Sequence, residues 1–200
     1  MCKSLLVIVL LFLFPLCATA QETPDAELFG GYSLIHREGG STLPGWHFAV
    51  NGNVNKWFSL VADFSGHYKS SSSRLRFNNL GSPTFSSKIK LDEKIHTVMV
   101  GPRYSYRSKK RITPFAHTLF GVARTDENRE AIIGDTGFLS ESHNTTSFAA
   151  VFGAGLDVKL NNSLALRAFQ ADYLVSRLGF FSEKNNFRAS FGIVFRFSKK

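Results

Sequence analysis

The 200-residue chain carries 24 Lys and Arg against 15 Asp and Glu, a formal net charge of +9, together with 20 Phe, 16 Gly and a mean hydropathy near zero. Beyond residue 20 no window is apolar enough for a transmembrane helix, and the length left suits one domain. Both cysteines, Cys2 and Cys17, fall within the first twenty residues, which excludes a disulfide framework or a cysteine–metal site downstream.

The N-terminus reads as a secretory signal peptide over residues 1–20. Lys3 places one positive charge before an apolar run at 5–16, and Ala18-Thr19-Ala20 supplies the small-x-small pattern of a signal-peptidase site. The run is shorter than the roughly 20 apolar residues that a spanning helix needs. Cleavage after Ala20 leaves one domain, 21–200, and loss of Lys3 takes the formal charge from +9 to +8. A lipid anchor on Cys17 would want a small residue just before it, and Phe14-Pro15-Leu16 stand there instead.

From Ala26 onward the hydrophobic period is two. Residues 26–36 read as a first strand. Next, Trp46, Phe48, Val50, Gly52 and Val54 alternate with His47, Ala49, Asn51 and Asn53. Then Phe58, Leu60, Ala62, Phe64, Gly66 and Tyr68 alternate with Ser59, Val61, Asp63, Ser65 and His67. Residues 95–106 and 113–124 read as the fourth and fifth strands. In the sixth, Phe148, Ala150, Phe152, Ala154, Leu156 and Val158 alternate with Ser147, Ala149, Val151, Gly153, Gly155 and Asp157. Residues 164–175 have mixed parity, with Arg167 and Asp172 on opposite faces unless a bulge shifts the phase by one. The chain closes on Phe187, Ala189, Phe191, Ile193, Phe195 and Phe197 alternating with Arg188, Ser190, Gly192, Val194 and Arg196.

Alternation over about ten residues matches a tilted membrane-spanning strand, whereas strands of soluble proteins run about 5–6 residues. The pattern predicts an all-β fold: a single antiparallel up-and-down transmembrane β-barrel of about eight strands. A soluble barrel of the lipocalin type would instead turn the apolar rows inward. Short turns at 53–56, 107–111 and 160–163 alternate with longer connections at 37–43, 69–94, 125–144 and 176–186. This asymmetry places both termini and the short turns in the periplasm and the long loops outside. Trp46, Trp57, Tyr68, Tyr104 and Tyr106 near strand ends suit the two membrane interfaces.

Leu28-Phe29-Gly30-Gly31-Tyr32-Ser33 resembles the opening strand of outer membrane protein A-like barrels. Val100-Gly101-Pro102-Arg103-Tyr104 followed by Pro114-Phe115-Ala116 is similar to their middle hairpin, and Phe187 to Phe197 to the terminal strand read by the barrel assembly machinery. Here Ser198-Lys199-Lys200 follow the last aromatic, a departure from the family pattern. The resemblance implies a bacterial outer membrane protein with three partners: surrounding lipids, the assembly machinery and an extracellular ligand at the long loops.

By parity the lumen receives Asp63, Asp157, Lys159, Arg188 and Arg196, which predicts an ion-paired polar network with the two Asp as acceptors. Some of these side chains would instead be solvated if they lie at the mouths. No catalytic, cofactor-binding or metal site is expected. The histidines show no ligand spacing on one element. Asp63, Ser65 and His67 share a face, but same-face neighbours lie about 6.5–7 Å apart, too far for a nucleophile–base relay along the strand. Ser87-Lys88-Ile89-Lys90 lacks the companion motifs of penicillin-recognising enzymes. Gly153-Ala154-Gly155 has no strand-to-helix context, so its glycines relieve crowding. The basic turn 107–111 is read first as a solvated turn, with contact to anionic lipid headgroups as the alternative, and nucleic acid is not expected as a partner. The expected role is structural or surface-interacting, with a narrow porin-like channel second and a lipid-modifying barrel enzyme third.

Overall fold

A computed structural model describes residues 23–38, 40–77, 85–107, 111–133, 137–178 and 183–198. The expected signal peptide, 1–20, lies outside them. Eight antiparallel strands run in chain order: β1 (Ala26–Arg37), β2 (Thr42–Asn53), β3 (Phe58–Phe77), β4 (Phe85–Ser105), β5 (Ile112–Ile133), β6 (Gly137–Lys159), β7 (Leu164–Leu178) and β8 (Glu183–Phe197). Each pairs with its sequence neighbours, and β1 pairs with β8 from Ala26↔Phe197 to Arg37↔Asn186, so the barrel is closed. Closure pairs the backbone groups that an open sheet would leave bare in hydrocarbon.

The apolar rows point outward. Phe148, Leu60, Phe187 and Phe152 stand exposed on the outer surface, while their strand neighbours Ala149, Val61, Arg188 and Val151 are buried. Among the phenylalanines whose burial is described, Phe29 and Phe115 are the ones buried inside. No helix among the described residues is long and apolar enough to cross a membrane.

At the short-turn end, side chains replace backbone partners. Asn55 Oδ1 accepts hydrogen bonds from the backbone N–H of Trp57 (2.8 Å) and Phe58 (2.9 Å). Asn161 Oδ1 does the same for Ser163 (2.9 Å) and Leu164 (2.7 Å). This is the Asx turn that makes Asn a turn residue. At the opposite end Gly40, with φ of +82°, closes β1 onto β2.

Three of the four long connections, 69–94, 125–144 and 176–186, are mostly strand, which corrects the loop assignment. β3 and β4 stay paired up to Phe77↔Phe85, and β5 and β6 up to Ile133↔Gly137. The first connection shrinks to residues 38–41, and β7 and β8 run into the fourth. On the outer face of the extensions polar residues such as Ser70, Ser72, Lys90, Asp92, Asn128 and Ser142 replace the apolar row, while Ile89, Leu91, Ala131 and Leu139 take the other face and backbone pairing continues. Ser70-Ser71-Ser72-Ser73, read as loop, lies inside β3 opposite Asp92 to Ile89.

The ambiguous parity of β7 resolves through a bulge. The register shifts between Arg167 and Gln170 in the β7–β8 ladder and between Leu156 and Asp157 in the β6–β7 ladder. Ala168 and Phe169 both face out, and Arg167 and Asp172 are both buried inside.

Candidate functional site

Two regions carry the chain's polar chemistry: the lumen and the sheet that projects beyond it. Every strand sends a polar side chain into the lumen, which holds two linked ion clusters. In the first, Asp157 Oδ2 accepts from Arg103 Nη2 at 2.6 Å and Oδ1 from Arg167 Nε at 2.9 Å. Both guanidinium groups lie on phenyl rings, Arg103 3.7 Å from the Phe115 centroid and Arg167 4.2 Å from that of Phe29. The inward phenylalanines therefore act as cation–π platforms for the arginines.

Gln170 joins this cluster to the second. It accepts from Arg167 Nη1 at 2.7 Å and donates to Asp172 Oδ2 at 2.8 Å. Arg188 then bridges two carboxylates, donating from Nε to Asp172 Oδ2 and from Nη1 to Asp63 Oδ1, both at 2.8 Å. His47 Nε2 lies 2.5 Å from Asp63 Oδ2, and His117 Nε2 lies 3.0 Å from Asp172 Oδ1. Three aspartates thus meet three arginines, the balance that lets buried charges avoid a large desolvation cost. Gly153 makes room for this, because a Cβ there would collide with Asp172 Oδ1 and His117 Nε2.

Of the five residues expected in the lumen network, Asp63, Asp157 and Arg188 lie within these clusters. Arg196 is separate: its Nε reaches Glu27 at 3.4 Å, near the short-turn rim, where Arg107 also contacts Glu27 at 3.3 Å. Lys159 is half-buried and forms no ion pair among the described residues. Sequence reasoning missed Arg103, which lies on the inward parity of its strand. It also missed His47 and His117 as partners, and left Arg167 and Asp172 open for want of the bulge.

No group of His, Cys, Asp or Glu among the described residues is arranged to hold a metal. Asp63, Ser65 and His67 form no relay: Ser65 bonds Thr97 at 2.6 Å and His67 Nε2 bonds Ser33 at 3.0 Å. A different Asp–His–Ser arrangement spans three strands, since His47 Nδ1 lies 3.0 Å from Ser190 Oγ. Ser190 is 3% exposed and shares its hydroxyl with Ser33 at 3.0 Å. The chain Asp63–His47–Ser190–Ser33–His67 is therefore an internal hydrogen-bond wire.

Buried apolar side chains, Ile35, Leu43, Ile95, Leu119 and Leu174, also occupy the lumen. Near the mouth opposite the short turns, Arg37 pairs with Glu93 and lies 3.5 Å from Glu127. The filled cross-section agrees with the narrow bore of an eight-stranded barrel.

Beyond that mouth, β3 to β6 continue as a four-stranded sheet. On its outer face, perpendicular rows can be read from the ladders. Phe64, Val98, Val122 and Phe148 form one row; two residues further out come Gly66, His96, Arg124 and Thr146. The switch from apolar to charged marks the boundary of the lipid-facing band. Trp46 and Tyr68 stand beside it, with Trp46 Nε1 donating to Tyr68 OH at 3.4 Å and Tyr68 OH 3.0 Å from His96 Nε2. At the other rim Trp57 stacks against Tyr104 at 5.8 Å and meets Tyr106 in a tilted pair at 5.2 Å. On the projecting sheet, hydrogen bonds from Ser70 and Lys90 hold the Asp92 carboxyl below the usual carboxylate range.

The model of the outer membrane protein β-barrel domain family matches residues 6–197. Among solved structures, Ail, the attachment invasion locus protein of Yersinia pestis, aligns with a TM-score of 0.55 at 18% identity, covering 87% of this chain and 99% of that one. Ail in complex with the heparin analogue sucrose octasulfate aligns at 0.55 and 17%, covering 86% and 97%. The outer membrane protein OprG of Pseudomonas aeruginosa aligns at 0.51 and 11%, covering 92% and 100%. At these identities the likeness is one of fold. No curated protein matches the sequence.

Proposed function

The chain belongs to the outer membrane protein β-barrel domain family, and from that premise we propose that it is a surface-display protein whose barrel is an anchor and whose projecting sheet meets partners. The termini and short turns face the periplasm, and the paired extensions of β3 to β6 stand outside the cell. The observation that carries this reading is the combination of a lumen filled by ion pairs and apolar side chains with a continuously paired sheet above it. Rigid scaffolds are where recognition surfaces are usually mounted. Surrounding lipids hold the outward apolar rows, and β8 is the strand the assembly machinery receives.

A channel is the second reading, and the filled cross-section weighs against it. A lipid-modifying enzyme comes third: the Asp63–His47–Ser190 arrangement is turned into the lumen, away from the lipid it would have to reach. The test has two arms, one on purified protein and one in intact cells. In planar bilayers the display reading expects no discrete conductance steps, and steps altered by Asp63→Ala would overturn it in favour of a pore. In intact cells, Ser72→Cys should react with a membrane-impermeant maleimide and a cysteine at Asn161 should not. The reverse labelling would overturn the orientation.

A further inference from the structure

The β3 side of the projecting sheet ends in an uncovered strand. The β2–β3 ladder stops at Gly45↔His67, so β3 from residue 68 to 77 has no strand on that side among the described residues. Its other side stays paired with β4, with no register shift, up to Phe77↔Phe85. The stretch contains no proline that would remove a donor from the edge. Such an edge offers a row of backbone N–H and C=O groups to an incoming strand.

Two further observations say what kind of strand fits. The first is charge. Arg74 sits directly opposite Lys88 on the outer face, both are exposed, and neither forms an ion pair among the described residues. Like charges set opposite each other are destabilising, and an anion beside them removes the penalty. Lys90, one row nearer the barrel, already has its anions, with Asp92 at 3.0 Å and Glu130 at 4.0 Å. The second is side-chain size. Ser71, Ser72 and Ser73 stand exposed along the edge, and on the inner face Ser73 pairs with Ile89, which is itself exposed. Serine is too short to cover its partner across the ladder, so side chains of the second strand lie within reach of an added one.

We propose that the β3 edge over residues 68–77 receives an extended acidic segment of an external protein as an added strand. Strand geometry then fixes the pattern it reads, because successive side chains point to opposite faces. The residue set against Arg74 lies on the outer face, where a carboxylate answers Arg74 and Lys88 together. Its neighbour, set against Ser73, lies on the inner face, where an apolar side chain covers Ile89. The recognised sequence is therefore an alternation of acidic and apolar residues rather than a bare run of negative charge. Backbone pairing supplies the affinity and the alternate side chains supply the selectivity. The proposal deepens the display reading by giving the partner's chemistry, and it rests on the β3–β4 hairpin standing clear of the bilayer.

The test uses the folded protein in detergent and fluorescent peptides of alternating glutamate and valine. Anisotropy should report saturable binding, and hydrogen exchange should show the amides of 68–77 slowing when the peptide is bound. The same peptide methylated on every backbone nitrogen keeps its charge but loses its donors, and it should bind more weakly by about tenfold or more. Arg74→Glu with Lys88→Glu should abolish binding of the glutamate peptide and confer binding of its lysine–valine counterpart, a reversal that an unfolded variant would not give. Heat modifiability confirms the barrel in each case. Equal binding of the methylated and unmethylated peptides would mean a polyanion held by charge alone, and would overturn strand addition. So would failure of the glutamate peptide to bind, or its unchanged binding to the charge-reversed variant. None of these arms depends on orientation, so they fail separately from the display reading, which the labelling of Ser72→Cys in intact cells tests.

Discussion

The two halves of the barrel wall differ in length and in chemistry. Strands β1, β2, β7 and β8 stop after 12 to 15 residues, near the outer limit of the lipid-facing band, whereas β3 to β6 run for 20 to 23. Within the band a strand is constrained on both sides, with apolar groups toward lipid and balanced polar groups toward the lumen. Beyond it, water satisfies either face, and the strands are held by backbone pairing. A substitution should therefore be costly in the body of the barrel and cheap in the extension.

The sharpest way to break that contrast is to remove the cation that two buried carboxylates share. Arg188→Met leaves Asp63 and Asp172 without it, and loss of one partner of a buried pair costs about 3–5 kcal/mol. The measurement is urea unfolding in detergent, followed by the shift in gel mobility; a change below the resolution of the curve would refute the account of the lumen. Next in size is Gly153→Val, which drives a side chain into Asp172 and His117 and should cost about 1–3 kcal/mol by overpacking. The same assay reads it.

In the extension the expected effects are small. Ser72→Ala on the exposed β3 edge should alter global stability by less than about 0.5 kcal/mol. A shift comparable to that of Gly153→Val would mean that the two halves are one cooperative unit. The smallest effect is local and pH-dependent. Asp92 has its carboxyl depressed by Ser70 and Lys90, so its contribution to the hairpin is present at neutral pH and lost as pH falls through the depressed value. Amide exchange of β3 and β4 beyond Tyr68 should speed up on acidification relative to Asp92→Asn, in which that dependence is absent. Equal pH dependence in both would remove the role assigned to the carboxylate.

The same division explains what could be read from the residues alone. Where lipid imposes alternation, as in 46–54, 58–68, 148–158 and 187–197, strand identity and facing were legible. Asp63, Asp157 and Arg188 were identified as inward by parity. Arg167 and Asp172 were not, because a bulge at Ala168 and Phe169 is a property of the ladder rather than of the strand's own pattern. The Asp63–His47–Ser190 wire was also out of reach, since its members come from three strands whose register is not a local property. The extensions were read as loops because Ser70 to Ser73 and 125–144 have no apolar period. Nothing in water requires one.

The claim that most depends on the structure is the change of environment along β4. A nitroxide placed in turn at each position from 87 to 105 reports collision with oxygen, which concentrates in lipid, and with a water-soluble nickel complex. The expected result is period-two oxygen accessibility, high at Val98, Val100, Pro102 and Tyr104 and low at their neighbours, giving way above Lys94 to nickel accessibility without that lipid pattern. Oxygen accessibility highest at Thr97, Met99 and Arg103, or a lipid-type alternation that continues unbroken to Ser87, would contradict it.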